Sequence, residues 1–254
     1  MNKFHFFARV GRVLRRMRIS FLQRLRIPAQ FSALGRASAP RFALRWRDRW
    51  LCMGDMTSVT SFDRHYVYHT AWACRVLAES RPAEHVDISS SLYFAATASA
   101  FVPIRFYDYR PAQLGLSGLL CDQADLTRLH FADGSITSLS CMHVVEHVGL
   151  ARYGDPLDYD GDLKAVVELR RVLAVGGQLL FVVPIGGEAR IQFNAHRIYT
   201  YRQVLGMFEG FELVEFALIP DDGSSLGLVR HAQETLSDTQ RYGCGCFCLR
   251  KVKA

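Results

Sequence analysis

Three side chains that could transfer protons or bind a metal lie close together in the chain: His143, Glu146 and His147. Positions three and four residues apart share one face of a helix, so a helical turn here would direct all three at one point. Such a group could act as a general base, contact a substrate, bind Zn, Mn or Fe, or only support the structure. We expect no bound metal, and we leave catalysis and structural support open.

A second polar group, Asn194, His196 and Arg197, lies on a predicted loop after the fifth strand. We predict His196 as a further catalytic residue and Asn194 and Arg197 as substrate-binding residues. A planar guanidinium forms paired hydrogen bonds with carboxylates and phosphates, which suits an acidic or sugar-phosphate substrate. The alternative for Arg197 is an ion pair with a nearby acid such as Asp158 or Glu188.

The seven cysteines favour reduced thiols in a cytoplasm-like compartment, because their number is odd and they lie in apolar segments. Cys244, Cys246 and Cys248 alternate along a predicted strand and therefore point to one face of a sheet. This spacing predicts packing in the core rather than a tetrahedral metal site.

The segments that must position these residues alternate between helical and extended patterns. Helices are predicted from about residue 64 to Pro82 and over residues 94–101, 161–173 and 200–208, with strands over 84–89, 104–107, 119–121, 178–183, 211–218 and 244–251 and from Ile136. Gly176-Gly177 is predicted to end the 161–173 helix, and Thr200 with Gln203 to cap the 200–208 helix. This alternation predicts a parallel sheet covered by helices on both faces.

Basic residues are concentrated in an N-terminal extension, residues 1–50, which holds 13 Lys and Arg against the single acid Asp48. The remaining residues, 51–254, hold 18 Lys and Arg against 23 acids and are predicted to form the α/β domain. Nucleic-acid binding by that domain is therefore not expected. Residues 4–27 have the pattern of a basic amphipathic helix that Pro28 ends. Such a helix could lie on an anionic membrane surface at the inner face of the membrane, dock on protein, touch RNA or target an organelle.

Three segments, in this order and spacing, resemble class I methyltransferases that use S-adenosylmethionine (SAM). Residues 124–135 resemble the family's acidic residue before a Leu-Pro-Phe-x-Asp-Gly-Ser turn, residues 142–148 its Val-Leu-Glu-His-Val stretch, and residues 168–177 its Arg-Val-Leu-Lys-Pro-Gly-Gly turn. The similarity covers about residues 63–251 and is closest to an uncharacterised bacterial branch. It implies a Rossmann-like seven-stranded sheet of order 3-2-1-4-5-7-6, with the last two strands antiparallel.

The resemblance also implies a SAM site beyond the carboxyl ends of the first four strands. Asp108 matches the residue that holds the ribose hydroxyls and Asp125 the residue near the adenine amino group, because a carboxylate accepts several hydrogen bonds at once. The remaining cofactor-binding candidates are Asp87, Ser89, Ser91, Leu126 and His143. The loop Ile88-Ser89-Ser90-Ser91 has no glycine where the family has a glycine-rich turn, and serine resists positive φ.

The function that this resemblance implies is methyl transfer from SAM to an oxygen or nitrogen of a polar metabolite or sugar. The alternative is a non-catalytic module of the same fold that serves as a membrane-associated partner in an assembly. An NAD enzyme is not expected, because no Gly-x-Gly-x-x-Gly follows a strand.

Overall fold

The computed structural model describes residues 25–36, 41–52, 55, 57–221 and 227–253. The chain divides into two compact units, Met1–Ser61 and Phe62–Ala254, and a domain boundary after residue 50 stays a prediction. The predicted leader helix over residues 4–27 lies outside the described residues except for its last three positions.

In the N-terminal unit, residues 25–34 form helix α1, and the N–H of Gly35 bonds to the carbonyl of Phe31 at 3.0 Å. The helix therefore continues past Pro28, which was predicted to end it; the φ of proline is fixed at about −65°, a helical value. A 3-10 turn follows over Trp46–Asp48. None of the helices in the described part of the chain is both long and apolar enough to cross a membrane.

The described part of the second unit has nine strands, seven of which form one sheet. They are β1 His85–Ile88, β2 Ile104–Asp108, β3 Leu119–Gln123, β4 Ile136–Met142, β5 Leu173–Ile185, β6 Arg190–Gln192, β7 His196–Ile198, β8 Phe211–Ile219 and β9 Gly243–Lys251. The sheet has the order β3-β2-β1-β4-β5-β9-β8, and β6 and β7 form a separate hairpin. Counted by sheet strands alone, this is the predicted order, and β9 runs antiparallel to both β5 and β8.

Helices cover both faces of the sheet. They are α2 Arg64–Ser80, α3 Leu92–Ala98, α4 Gly161–Val172, α5 Tyr201–Met207 and α6 Glu234–Asp238. Helix α2 begins where the Asp63 side chain accepts the N–H of Tyr66 (3.2 Å), and it ends at Arg81, which is left-handed. Trp72 of α2 and Phe94 of α3 are buried against one face of the sheet, while Leu169 of α4 is buried against the other. The domain therefore has a core on each side of one sheet.

The Gly176-Gly177 pair does not end α4 as predicted. Helix α4 ends at Val172, and the chain becomes extended at Leu173, which pairs with Ile136 of β4. The two glycines lie within β5, beside a register shift in the β4–β5 ladder. Pairing with β4 thus ends the helix before the glycines are reached.

Two elements were not predicted, the β6–β7 hairpin and α6, because both are too short to show a periodic pattern. The capping box at the start of α5 is confirmed: Thr200 Oγ1 accepts the N–H of Gln203 at 3.2 Å, and Gln203 Oε1 accepts the N–H of Thr200 at 2.9 Å. Cys244, Cys246 and Cys248 lie buried in the core beneath α2 and α3, which confirms the predicted burial of the three thiols.

Candidate active site

A cavity of about 590 Å³ opens at the carboxyl ends of β1 to β4. The strand order reverses there, between β1 and β4, which is where open α/β sheets bind ligands. The volume lies within the range of small-molecule and cofactor sites. One side of the cavity is formed by the segments that follow the four strands, Ser89–Ser91, Asp108–Arg110, Ala124–Thr127 and Met142–Val144. Four neighbouring strand ends therefore contribute to a single site.

The serine loop after β1 adopts a backbone conformation that glycine usually provides. Ser89 has φ +55°, in the left-handed region. Its N–H and its hydroxyl both donate to the carbonyl of Tyr107 on β2, at 2.7 and 3.3 Å. The Ser90 hydroxyl accepts the N–H of Met142 on β4 at 3.0 Å. Bonds to both neighbouring strands thus hold the loop, and Ser89 and Ser91 line the cavity.

Replacing Ser89 tests how much strain this loop carries. A left-handed residue with a Cβ costs about 1–2 kcal/mol. Ser89→Gly is therefore expected to be at least as stable as the wild type, whereas Ser89→Val should lose about 2 kcal/mol because β-branching makes positive φ worse. Urea unfolding measures both. Ser91→Val is the matched control, since Ser91 has φ −65°; an equal loss for the two valine variants would contradict the strain at Ser89.

Asp87 does not line the cavity, contrary to its predicted contact with the cofactor. It is fully buried under the serine loop, where it accepts the N–H of Ser90 (3.0 Å) and the hydroxyl of Ser140. The Ser140 hydroxyl accepts from Nε2 of His85 at 2.8 Å, and the Ser138 hydroxyl donates to Nδ1 at 2.7 Å. Burial lowers the pKa of His85 to about 3, so this histidine is neutral. Asp87 therefore supports the loop from below.

The stability of the domain should depend on the ionisation of Asp87. Burial raises the pKa of this carboxyl from 3.8 to about 6, so the folded state binds more protons than the unfolded state between pH 4 and 6. The contribution of Asp87 to the free energy of unfolding therefore falls as pH rises through that window. The difference between wild type and Asp87→Asn, measured by urea unfolding at pH 4 and pH 7, should shift in favour of the variant at pH 7. A difference that is the same at both pH values would contradict this assignment.

Asp108 and Asp125 line the cavity at the ends of β2 and β3. Asp108 Oδ1 accepts the N–H of Arg110 at 2.7 Å, and Asp125 Oδ1 accepts the N–H and hydroxyl of Thr127 at 2.8 and 2.7 Å. Within the described part of the chain, Oδ2 of each carboxylate has no hydrogen-bond partner. Both oxygens are therefore available to a ligand, and Leu126, the residue after Asp125, adds an apolar side chain to the cavity wall.

His143, Glu146 and His147 converge as their spacing predicts, and they meet at the Glu146 carboxyl. A 3-10 turn over Val145–His147 follows β4 and brings Glu146 Oε1 to 2.8 Å from His143 Nδ1 and 3.7 Å from His147 Nε2. Glu146 is fully buried, and its Oε2 lacks a partner among the described residues. Burial raises the pKa of Glu146 to about 7 and lowers the pKa of His143 to about 4.

The two histidines differ in what they can offer a ligand. His143 lines the cavity, but its Nδ1 faces Glu146 and its Nε2 faces the Cys244 sulfur at 3.3 Å. His147 also lines the cavity, and its Nδ1 donates to the carbonyl of Ala195 at 2.7 Å. That bond leaves Nε2 of His147 as the unprotonated nitrogen, with Nη1 of Arg152 at 3.5 Å and Oε1 of Glu146 at 3.7 Å. Burial lowers the pKa of His147, so the ring is neutral and able to accept a proton.

The group on the β6–β7 hairpin does not form the predicted substrate site. Asn194 is exposed and Arg197 is buried, and neither lines the cavity. The Arg197 guanidinium donates to the carbonyls of Val148 (2.7 Å) and Tyr159 (2.9 Å), and Asp162 lies 3.5 Å from its Nε. These bonds fasten the hairpin to the segment between β4 and α4, so the guanidinium is already satisfied by the protein itself.

Solved structures of three other proteins share this arrangement of strands and helices. The Burkholderia thailandensis 1,6-didemethyltoxoflavin-N1-methyltransferase, solved with S-adenosylhomocysteine, is 11% identical over 73% of this chain and 79% of its own, with a TM-score of 0.52. A putative methyltransferase of Haloferax volcanii, in complex with the Trm112 activator, is 16% identical over 76% and 91%, with a TM-score of 0.51. The YcgJ protein of Bacillus subtilis is 14% identical over 74% and 100%, with a TM-score of 0.50.

The chain has the class I methyltransferase fold. A family model described as "Caenorhabditis protein of unknown function, DUF268" matches residues 129–251, which run from the segment after β3 to the last residue of β9. No curated protein is similar enough in sequence to count as a relative. The methyltransferase fold is thus shown by the comparison of structures, whereas the family model matches only residues 129–251 of the sequence.

Several side chains beside the cavity of this methyltransferase fold were missed. Helix α2 places Tyr66 in the cavity wall and brings His65 and His69 against His143, with ring centroids 5.4 and 5.0 Å away. The His-x-x-x-His spacing in α2 was the available signal, because residues four apart share one helical face. His196, predicted as catalytic, is outside the cavity and stacks on Tyr242 at 5.0 Å.

Proposed function

We propose that this protein is a SAM-dependent methyltransferase that acts on an oxygen or nitrogen of a polar metabolite or sugar. The observation that carries the proposal is the cavity at the carboxyl ends of β1 to β4, with a carboxylate after β2 and another after β3. Asp108 and Asp125 each keep one oxygen without a partner in the described chain, as a ligand with hydroxyl and amino donors requires.

The residues present fit SAM in size and in charge. A cavity of about 590 Å³ is large enough for a nucleoside with an attached amino acid. Four carboxylates line it, Asp108, Asp125, Asp155 and Asp158, against the cations Arg110 and Lys164. An excess of negative charge favours a ligand that carries a positive sulfonium.

Five of the predicted cofactor residues that line the cavity have a proposed partner on SAM, and His143 is the exception. Asp108 Oδ2 would accept the ribose hydroxyls, and Asp125 Oδ2 would accept from the adenine amino group. The hydroxyls of Ser89 and Ser91 would bond the amino-acid end, and Leu126 would contact the base. When bound, SAM supplies a methyl group on a sulfonium. The crystallised Burkholderia enzyme, which holds S-adenosylhomocysteine, supports this choice of ligand.

His147 is the proposed general base. Its Nε2 would accept the proton that a substrate hydroxyl or amine loses as the new bond to the methyl carbon forms. The bond from Nδ1 to the Ala195 carbonyl fixes the ring in the tautomer that this role needs. His143, whose ring nitrogens both face protein groups, is then a positioning residue in the wall beside it.

Calorimetry of the purified full-length protein against S-adenosylhomocysteine and SAM tests the proposal. We expect saturable binding of one equivalent of either ligand. Absence of heat up to millimolar ligand, with a folded protein confirmed by circular dichroism, would leave the non-catalytic module as the function of this fold. The methyl acceptor can then be sought among sugars and polar metabolites by methyl transfer from labelled SAM.

The basic leader is a separate part of the proposal. Its excess of Lys and Arg supports attachment to an anionic surface at the inner face of the membrane, with the protein in the cytoplasm. In a flotation experiment with vesicles that contain phosphatidylserine, the full chain should rise with the vesicles. A chain without residues 1–27 should stay in the bottom fraction. Equal flotation of the two would exclude this attachment.

Affiliation with an uncharacterised bacterial branch stays a prediction.

A further inference from the structure

Two histidines and a cysteine meet beside the cavity from three separate elements. His65 lies in the first turn of α2, His143 follows β4, and Cys244 is near the start of β9. One ligand atom of each, a ring nitrogen or the sulfur, lies within 4.8 Å of the others. Nε2 of His143 and Sγ of Cys244 are 3.3 Å apart. The cluster thus has the donor atoms and near-contact spacing of a transition-metal site.

We propose that His65, His143 and Cys244 bind a Zn²⁺ ion. Imidazole nitrogen and thiolate sulfur are ligands of zinc and similar borderline ions, whereas calcium and magnesium require oxygen. The set differs from the His143, Glu146 and His147 spacing on which the expectation of no metal was based. It shares only His143 with that set, and the proposal does not depend on SAM binding.

The surroundings of the cluster match the outer shell of a metal site. Glu146 Oε1 lies 2.8 Å from Nδ1 of His143, which directs the other ring nitrogen, Nε2, at Cys244. A carboxylate behind a metal-bound histidine fixes the ring and its tautomer. The His65 ring lies between the rings of His143 and Tyr242, with centroids 5.4 and 4.9 Å away. A carboxylate therefore orients the His143 ring, and ring contacts hold that of His65.

Water can supply the fourth ligand, and His69 lies beside the cluster, outside the group whose ligand atoms are within 4.8 Å of one another. The Nδ1 of His69 lies 2.6 Å from the carbonyl of His65, one helical turn earlier, while its Nε2 is buried and without a partner in the described part of the chain. Its ring centroid is 5.0 Å from that of His143. An unpaired buried nitrogen is costly, and coordination of a metal would satisfy it. Bound zinc would tie α2 to the ends of β4 and β9.

Cobalt titration of the full-length protein, after treatment with a chelator, tests the site directly. We expect one equivalent of Co²⁺ to produce the visible absorption of a tetrahedral ion together with a thiolate-to-cobalt charge-transfer band. Zn²⁺ should displace the cobalt, and excess Zn²⁺ should raise Tm by several degrees because the ion binds the folded state. A wild-type protein that gives neither band nor shift in Tm would overturn the proposal.

Variants assign the ligands. Cys244→Ser should abolish the charge-transfer band, and His65→Gln should weaken Zn²⁺ binding by at least about 100-fold, since loss of an outer-shell partner alone costs about 10- to 100-fold. His65 is only half-buried, so its variant should fold even if the Cys244 variant does not. Cys248→Ser is the matched control: it is a buried thiol of the same strand whose sulfur accepts from Gln178 at 3.1 Å. A band that Cys244→Ser or His65→Gln leaves unchanged, or that Cys248→Ser removes, would refute the assignment.

Discussion

Asp108→Asn should weaken the binding of S-adenosylhomocysteine by about 10- to 100-fold, because a hydrogen bond to a charged acceptor contributes about 1.5–3 kcal/mol. The amide oxygen can still accept the N–H of Arg110, which the carboxylate holds at 2.7 Å, so the loop after β2 should keep its shape. What the substitution removes is the negative charge and the second acceptor that face the cavity. Calorimetry gives the affinity, and thermal unfolding shows that the fold is intact.

Asp122→Asn is the matched control for this experiment. Asp122 lies on β3 opposite Tyr107 of β2, is exposed, and does not line the cavity. Its replacement should leave ligand affinity within about twofold, since an exposed charge outside the site is screened by solvent. If Asp108→Asn binds as tightly as wild type while the wild type binds well, the ribose role of Asp108 is wrong although the SAM proposal stands.

Gly149→Ala should lower the free energy of unfolding by about 3–4 kcal/mol, through left-handed strain and overpacking together. Gly149 has φ +80°, and a Cβ at this position would lie 2.0 Å from the carbonyl oxygen of Asp158. That neighbour cannot move aside easily, because the N–H of Asp158 bonds to the Gly149 carbonyl at 3.0 Å. The glycine also lines the cavity, so ligand affinity should fall as well.

Gly154→Ala separates the two causes. Gly154 has φ +85°, but nothing lies within 4 Å of the Cβ that it would gain. Its substitution should therefore cost only the backbone strain, about 1–2 kcal/mol. Urea unfolding of both variants gives the steric part as the difference between them. Equal losses in the two variants would show that the chain near Asp158 relaxes without cost.

The sheet could be predicted from the sequence because its signals are local and repeated. Each strand is a short apolar run beside a turn or helix signal. The strand order was predicted from the motifs between residues 124 and 177, whose order and spacing resemble those of methyltransferases. The carboxylates after β2 and β3 were predicted from the resemblance, which implies a cofactor site where the carboxyl ends of the parallel strands meet. The prediction that Gly176-Gly177 ends helix α4 was wrong, because the chain pairs with β4 from Leu173 onward and the helix ends before the glycines.

The rest of the site depends on contacts between distant parts of the chain. Arg197 was predicted to bind substrate because nothing in its own segment shows the carbonyls of Val148 and Tyr159 that it holds. Asp87 was predicted to touch the cofactor because it matches the acid of the family's first motif. Its burial under the serine loop involves a hydrogen bond from Ser140 of β4, which lies more than fifty residues away and is not visible in the local sequence. The histidines of α2 were missed because a helical face shows which residues are buried, without showing which other histidine they meet.

The position of β9 imposes an order on the assembly of this domain. It is the last strand in chain order, yet it lies between β5 and β8 and pairs with both. During synthesis, β8 has no partner among the described strands of the sheet until β9 has left the ribosome. Until then the edge of β5 is also unpaired, and an open apolar edge invites association with other chains. We therefore expect the nascent domain to depend on chaperones until residues 243–251 emerge.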